Sequence, residues 1–292
     1  MNNSRLKAIL YLVLAAVLWS SGGILIKLVD WNPVAIAGTR SGIAAIVMMA
    51  YLRKPIKVNK QKAVGALFYS TTVILFVIAN KMTTAANTIL LQYSAPVWVA
   101  LMSGWILKER VRKLDWAAIA AVMIGMVLFF IGDLEVGQML GNVIAVFAGV
   151  SLAGLVVSLK LVKEGSPVEV PLLGNILTLL VALPFMIGQV PDARSIVGLV
   201  LLGVFQLGIS YILFAEASKH VSAVEAILIP VIEPLLNPIW VFLFAGEAPG
   251  PFALVGGLVV VTAVVIRSLM VAKVDSKKEL NTKNTKTSET VS

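Results

Sequence analysis

The chain has 292 residues, 59% of them hydrophobic and 13% charged, with a mean hydropathy of +0.95. A soluble domain of that length carries far more surface charge, so the composition excludes a soluble enzyme and indicates a polytopic membrane protein. The absence of cysteine excludes disulfides, thiolate metal sites and cysteine nucleophiles, and the net charge of +9 sits in loops and tail, where it reads as a membrane-orientation signal rather than a nucleic-acid face.

In chain order the apolar runs predict an all-α protein of ten spans, at 8–28, 33–52, 63–81, 84–107, 114–132, 139–159, 169–189, 195–215, 221–244 and 250–271. Most are about 20 residues long, enough to cross roughly 30 Å of hydrocarbon as a helix. They are continuous rather than alternating, which argues against a barrel. Short loops separate them, punctuated by Asn32-Pro33, Gly165-Ser166-Pro167 and Pro249-Gly250-Pro251. With the amino terminus inside, 20 of the 24 Lys and Arg fall on inner segments or the carboxyl end, from Arg5 and Lys7 to Lys283 and Lys286. Lys27, Lys81 and Arg194 lie near the outside, and Arg40 lies within a span. That asymmetry predicts a multi-pass protein of the cell (inner) membrane with both termini cytoplasmic. The tail, 273–292, is Lys, Thr, Ser, Glu and Asn, and reads as a disordered, solvated segment.

The spanning pattern occurs twice. Shifted by 138, Leu75-Phe76 falls on Leu213-Phe214, Lys81 on Lys219, Pro96 on Pro234 and Glu109 on Glu247, among nine identities over 35 ungapped positions. Earlier in the halves the offset is slightly shorter: Lys27-Leu28-Val29 matches Lys160-Leu161-Val162. The unit is therefore a five-span half. Because five is odd, the second copy inserts upside down, giving two inverted repeats, 1–135 and 136–272, followed by the tail. Paired halves of this kind belong to secondary transporters.

Several short motifs resemble the drug/metabolite transporter superfamily, EamA type: Leu18-Trp19-Ser20 followed by Lys27, Pro33 followed by Arg40, Pro96, Leu107-Lys108-Glu109-Arg110, Glu233-Pro234 and Gly246-Glu247. The resemblance covers residues 5 to 272. It implies an inner-membrane permease, usually an exporter of small metabolites, with a central cavity between the halves. It implies no single substrate.

Glu233 is the sharpest candidate. It lies near the middle of the ninth span, where an ionised side chain is costly and faces a bundle interior or a watery cavity. Its repeat partner is Ala95, so the duplication does not require it. It sits among Pro230, Pro234 and Pro238, which leave the carbonyls of Ala226, Pro230 and Pro234 without their helical donors, and Pro96 marks a matching helix break in the fourth span. Such a carboxyl suits a proton or a substrate ammonium; the structural alternative is a protonated glutamate bonded inside the bundle. Arg40, whose repeat counterpart lies close to Gly174, suits a carboxylate or carbonyl ligand, against the alternatives of snorkelling to the outer surface or bonding to a neighbouring helix end. Glu225 is either a gate or an interfacial acid paired with Lys219 or a lipid headgroup. Trp19, Ser20, Tyr93, Asn175 and Tyr211 are cavity-wall candidates, with interhelical hydrogen bonding as the alternative. Trp105, Trp116 and Trp240 read as interfacial belt residues.

These features favour a secondary transporter of small metabolites such as amino acids, in the export direction, working by alternating access with proton coupling open. A facilitative uniporter or channel is the alternative. An intramembrane enzyme is disfavoured, because the chain has one His, no Cys and no Gly-Lys-Ser/Thr phosphate loop. The expected partners are a small-molecule substrate, the lipid bilayer and protons; no cofactor, metal or nucleic acid is expected, and monomer and homodimer stay open.

Overall fold

The computed structural model describes residues 3–131, 138–187, 191–236 and 250–289, with side chains except at 85, 86, 130 and 272–289. Pro238, Trp240, Gly246 and Glu247 lie outside the described residues. Every described element is helical. The helices are α1 (Asn3–Trp19), α2 (Gly22–Leu28), α3 (Pro33–Leu52), α4 (Lys60–Met82), α5 (Ala85–Gln92), α6 (Ala95–Met102), α7 (Lys113–Phe130), α8 (Met139–Leu161), α9 (Glu169–Ala182), α10 (Ala193–Leu201), α11 (Ser210–Ser218), α12 (Ala223–Leu228) and α13 (Pro251–Glu289).

Local chemistry sets many of the starts. Asn32 caps α3, accepting from the Val34 and Ala35 amides at 2.9 and 3.3 Å, while Pro33 occupies the first turn. Asn59, Thr84, Asp192 and Ser222 cap α4, α5, α10 and α12 in the same way. Asp192 lies outside the spans, and hydrogen bonds from Ser195 hold its carboxyl below the ordinary range.

Eight helical stretches among the described residues are long and apolar enough to cross a membrane, where the sequence predicts ten spans. The fifth predicted span falls on the 18-residue α7. The ninth begins at α12 and leaves the described residues after Leu236. The tail departs from expectation: α13 continues as helix to Glu289 instead of ending near 272. A helix already nucleated in the spanning segment extends at little further entropic cost, which offsets the weak core-forming power of the tail.

The principal packing joins the two halves of the chain. α4 lies on α8 and α9, α3 on α9 and the segment before α11, α1 on α11, and α7 on α13. Gly125 and Gly256 permit the last approach, since a Cβ on Gly256 would stand 2.4 Å from the Gly125 carbonyl oxygen. Large apolar side chains such as Leu14, Ile46, Leu67, Phe147 and Leu258 point outward, as a lipid-facing surface requires.

Candidate functional site

Four spans depart from regular α-helix near their middles. Between α1 and α2 the chain turns at Ser20-Ser21, whose hydroxyls donate back to the carbonyls of Val17 and Leu18 at 2.6 and 2.8 Å. Between α5 and α6 it turns at Tyr93-Ser94, just before Pro96. Residues Leu202–Ile209 form a π-helical stretch between α10 and α11, and Ile229–Ile232 tighten into a 3₁₀ turn just before Pro234. The prolines explain two of these breaks. Pro96 cannot donate to the Gln92 carbonyl, which instead lies against Gly149, where a Cβ would approach to 2.7 Å. Pro234 cannot donate to the Pro230 carbonyl, which takes the Glu233 amide and the Tyr93 hydroxyl (3.0 Å) instead.

These interruptions surround a cavity with about 610 Å³ of empty volume, its mouth included. One wall is aromatic: Trp19 stands 4.9 Å from Tyr211 and 5.2 Å from Phe214, ring centre to ring centre, and Tyr69 backs Tyr211 edge-on at 4.7 Å. Two ionisable groups line the same space. Arg40 is 1% exposed, so it does not snorkel to the surface. Its guanidinium donates to Gln206 Oε1 at 3.0 Å and, more weakly, to the Val73 carbonyl at 3.5 Å. Glu233 is partly buried and faces the Tyr93 hydroxyl, with 2.7 Å between Tyr93 Oη and Glu233 Oε2. Among the described residues no three His, Asp or Glu converge as metal ligands.

A cavity between paired sets of interrupted helices is the architecture of a permease, and the comparisons agree. The profile of the EamA-like transporter family matches residues 6–131 and again 139–269. The chain belongs to the EamA-like transporter family. It is 26% identical over 259 residues to an uncharacterized transporter of Archaeoglobus fulgidus, covering 87% of this chain and 94% of that one. It is 25% identical over 279 residues to the uncharacterized transporter YdfC of Bacillus subtilis, covering 88% and 90%. A solved crystal structure at 20% identity superposes with a TM-score of 0.75, covering 91% of this chain and 98% of that one, and shares the fold. The family and these relatives are transporters, not enzymes.

Within this EamA-like chain, Trp19, Arg40, Tyr93, Tyr211, Pro230 and Glu233 come together on the cavity. Ser20 does not line it; its hydroxyl turns back onto α1. Asn175 does not either: it accepts from the Tyr69 hydroxyl at 3.1 Å and fixes α9 to α4. Glu225 is paired with Arg5 at 2.8 Å, not with Lys219, which binds Glu216 at 2.7 Å. Helix α1 comes within reach of α12, and sequence separation gives no sign of it. Pro96 and Pro234 each follow a break, as expected. Trp105 and Trp116 are exposed, as belt residues are.

Sequence reasoning did not pick out Phe76, Phe214 or Leu152 as wall residues, or Tyr69 as the support behind Tyr211. A signal for most of them was present. Phe76 and Phe214 are one of the nine repeat identities, and Val73 and Tyr211 stand at the same offset of 138. Trp19 and Leu152 are related by the shorter offset of 133 that aligns Lys27 with Lys160.

Proposed function

We propose that the chain is a secondary active transporter of the cell membrane, exporting small metabolites such as amino acids by alternating access of two inverted five-span halves, 1–135 and 136–272. The observation that carries this is the make-up of the cavity wall: pairs related by the repeat offset, Val73 with Tyr211 and Phe76 with Phe214, face one space. The packing agrees. Exchanging the halves turns the α4–α8 contact into α11–α1, and the α4–α9 contact into that of α3 with the segment around α11. A site on such an axis opens to either side as the halves rock. The excess of Lys and Arg on one set of loops supports both termini being cytoplasmic.

Glu233 supplies the coupling. The Tyr93 hydroxyl has one hydrogen but two oxygen neighbours, Pro230 O at 3.0 Å and Glu233 Oε2 at 2.7 Å. Both contacts are hydrogen bonds when Glu233 carries a proton and donates it to Tyr93, which then donates to Pro230. Loss of that proton turns the Tyr93 hydrogen to the carboxylate and leaves the Pro230 carbonyl with the Glu233 amide alone. The proton state is thus read by the turn joining the two spans. Arg40, Tyr93 and Tyr211 are the other titratable groups on this cavity; α1 adds only Trp19 to it.

Transport of an amino-acid, amine and nucleoside panel into proteoliposomes, with and without a pH gradient, tests the reading. Glu233→Gln should abolish the response to the gradient while substrate exchange persists. Gradient-driven transport unchanged in that variant removes Glu233 from coupling; exchange alone in the wild type, indifferent to any gradient, makes the protein a facilitative uniporter.

A further inference from the structure

Arg40 is a full positive charge at membrane depth with no anion beside it among the described residues. It is 1% exposed, and no carboxylate lies within ion-pair distance of it among the described residues. Glu233, the acid on the same cavity, is engaged by Tyr93 instead. A guanidinium has five N–H donors. Here one finds a good acceptor in Gln206 at 3.0 Å, one a marginal contact with Val73 at 3.5 Å, and Nε finds none. Buried charges are otherwise paired, because desolvating a lone ion costs several kcal/mol even after relaxation. The structure therefore contains half of an ion pair, aimed into a cavity.

The surroundings describe the other half. Gln206 turns its oxygen to Arg40, which leaves its amide N–H groups as further donors beside the guanidinium. Gly22 makes room for that amide: a Cβ there would stand 2.9 Å from Gln206 Nε2. Trp19, on the same cavity, has a buried indole N–H with no acceptor. The cluster is thus rich in donors and poor in acceptors. Next to it lies the flat wall of Trp19, Tyr211 and Phe214.

We propose that Arg40, with the Gln206 amide, is a subsite for the carboxylate of the transported molecule, whose apolar body lies on the Trp19–Tyr211–Phe214 wall. The proposal rests on the transport reading and narrows it to substrates that carry a carboxylate. It places cations and neutral alcohols of the same shape at a disadvantage, since either leaves Arg40 unpaired.

Three probes with the same ring and a similar chain separate the possibilities: phenylacetate, phenethylamine and 2-phenylethanol. The purified full-length protein is melted with each across a concentration series at neutral pH. Phenylacetate should raise the melting temperature at concentrations where the other two do not. Arg40→Gln should weaken its apparent affinity about 10- to 100-fold, the range expected for hydrogen bonds to a charged group. Arg40→Lys, which keeps the charge but loses the planar fork, should fall between. Gln206→Leu should weaken it by a smaller factor, and reads the same subsite if Arg40→Gln fails to fold. Equal stabilisation by the amine or the alcohol, or phenylacetate affinity untouched by both Arg40→Lys and Gln206→Leu, overturns the proposal. Flux of the same probes in proteoliposomes keeps the two readings apart. Arg40-dependent binding of phenylacetate without flux defeats the transport reading and leaves the carboxylate subsite. Flux of phenethylamine that survives Arg40→Gln leaves transport and defeats the subsite.

Discussion

The two ends of the helix bundle are fastened differently. At the end where α1, α4 and α7 begin, three ion pairs among the described residues join the first half of the chain to the second. These are Arg5 with Glu225 (2.8 Å), Lys62 with Glu169 (2.5 Å) and Arg267 with Asp115 (2.8 Å). At the opposite end the bonds between halves that join described residues are neutral. Thr83 donates to Asn142 Oδ1 at 3.0 Å, Asn87 to the same oxygen at 3.2 Å, and the Asp30 amide to Ser195 at 3.1 Å. A charge-assisted bond is roughly twice as strong as a neutral one, so separating the halves costs more at the charged end. A protein that opens alternately to two sides needs that inequality to have a resting state. Under the proposed cycle these pairs must break for the halves to separate at the amino-terminal end.

The largest effect should come from stranding a buried charge at the charged end. Arg267 is 3% exposed; its Nε and Nη2 meet Asp115 Oδ1, and its Nη1 has no hydrogen-bond partner among the described residues. Asp115→Asn leaves that cation unpaired, and should cost about 3–5 kcal/mol of stability. The double variant Asp115→Leu, Arg267→Met removes both charges and should recover most of the loss, because a buried pair is worth little more than well-packed apolar residues of similar size. Thermal or denaturant unfolding in detergent measures both. A single variant as stable as the wild type shows that the pair does not fasten α7 to α13.

Next in size is the pair that joins α1 to α12. Arg5 is more accessible than Arg267, at 14% side-chain exposure, so Glu225→Gln weakens its tie to α12 while the cation still reaches water, and should shift conformation more than it lowers stability. The chain lacks cysteine, so one introduced thiol is its only reactive sulfur. Ala223→Cys, on a fully buried position of α12, reports opening of the charged end. Glu225→Gln should raise its maleimide labelling rate by about 5- to 100-fold, as a coupling of roughly 1–3 kcal/mol implies. An unchanged rate separates the Arg5–Glu225 pair from gating.

The contrast between the ends was only partly legible in the sequence. Length and hydropathy are summed over 20 or more residues and survive local irregularity, so the all-α, multi-pass character could be read. Pro96 and Pro234 mark breaks because a missing amide hydrogen acts locally. Arg40 and Glu233 stood out because a charge at membrane depth is costly wherever its helix points. Facing direction is another matter. Asn175 and Ser20 lie at the right depth but turn away from the cavity. In the π-helical stretch before α11 the backbone departs from the 3.6-residue period, so a helical wheel misplaces whatever follows it. The pairings were hidden most completely. Lys62 and Glu169 are 107 positions apart, and Arg5 and Glu225 are 220 apart. Nothing in either segment specifies the other.

The smallest effect should appear at the neutral end. Asn142 Oδ1 accepts from both Thr83 and Asn87, so Asn142→Leu removes two bonds between the halves in one change. Side-chain hydrogen bonds between membrane helices average about 0.6 kcal/mol, because the separated helices find other partners. Val29→Cys, on a fully buried position near this end, is the matching reporter. Two such bonds amount to about 1.2 kcal/mol, so its labelling should rise roughly eightfold in the Asn142→Leu background, toward the low end of the range for Glu225→Gln at the other end. If the neutral-end variant opens its reporter more than Glu225→Gln opens Ala223→Cys, the ranking of the two ends is reversed, and packing rather than charge holds the resting conformation.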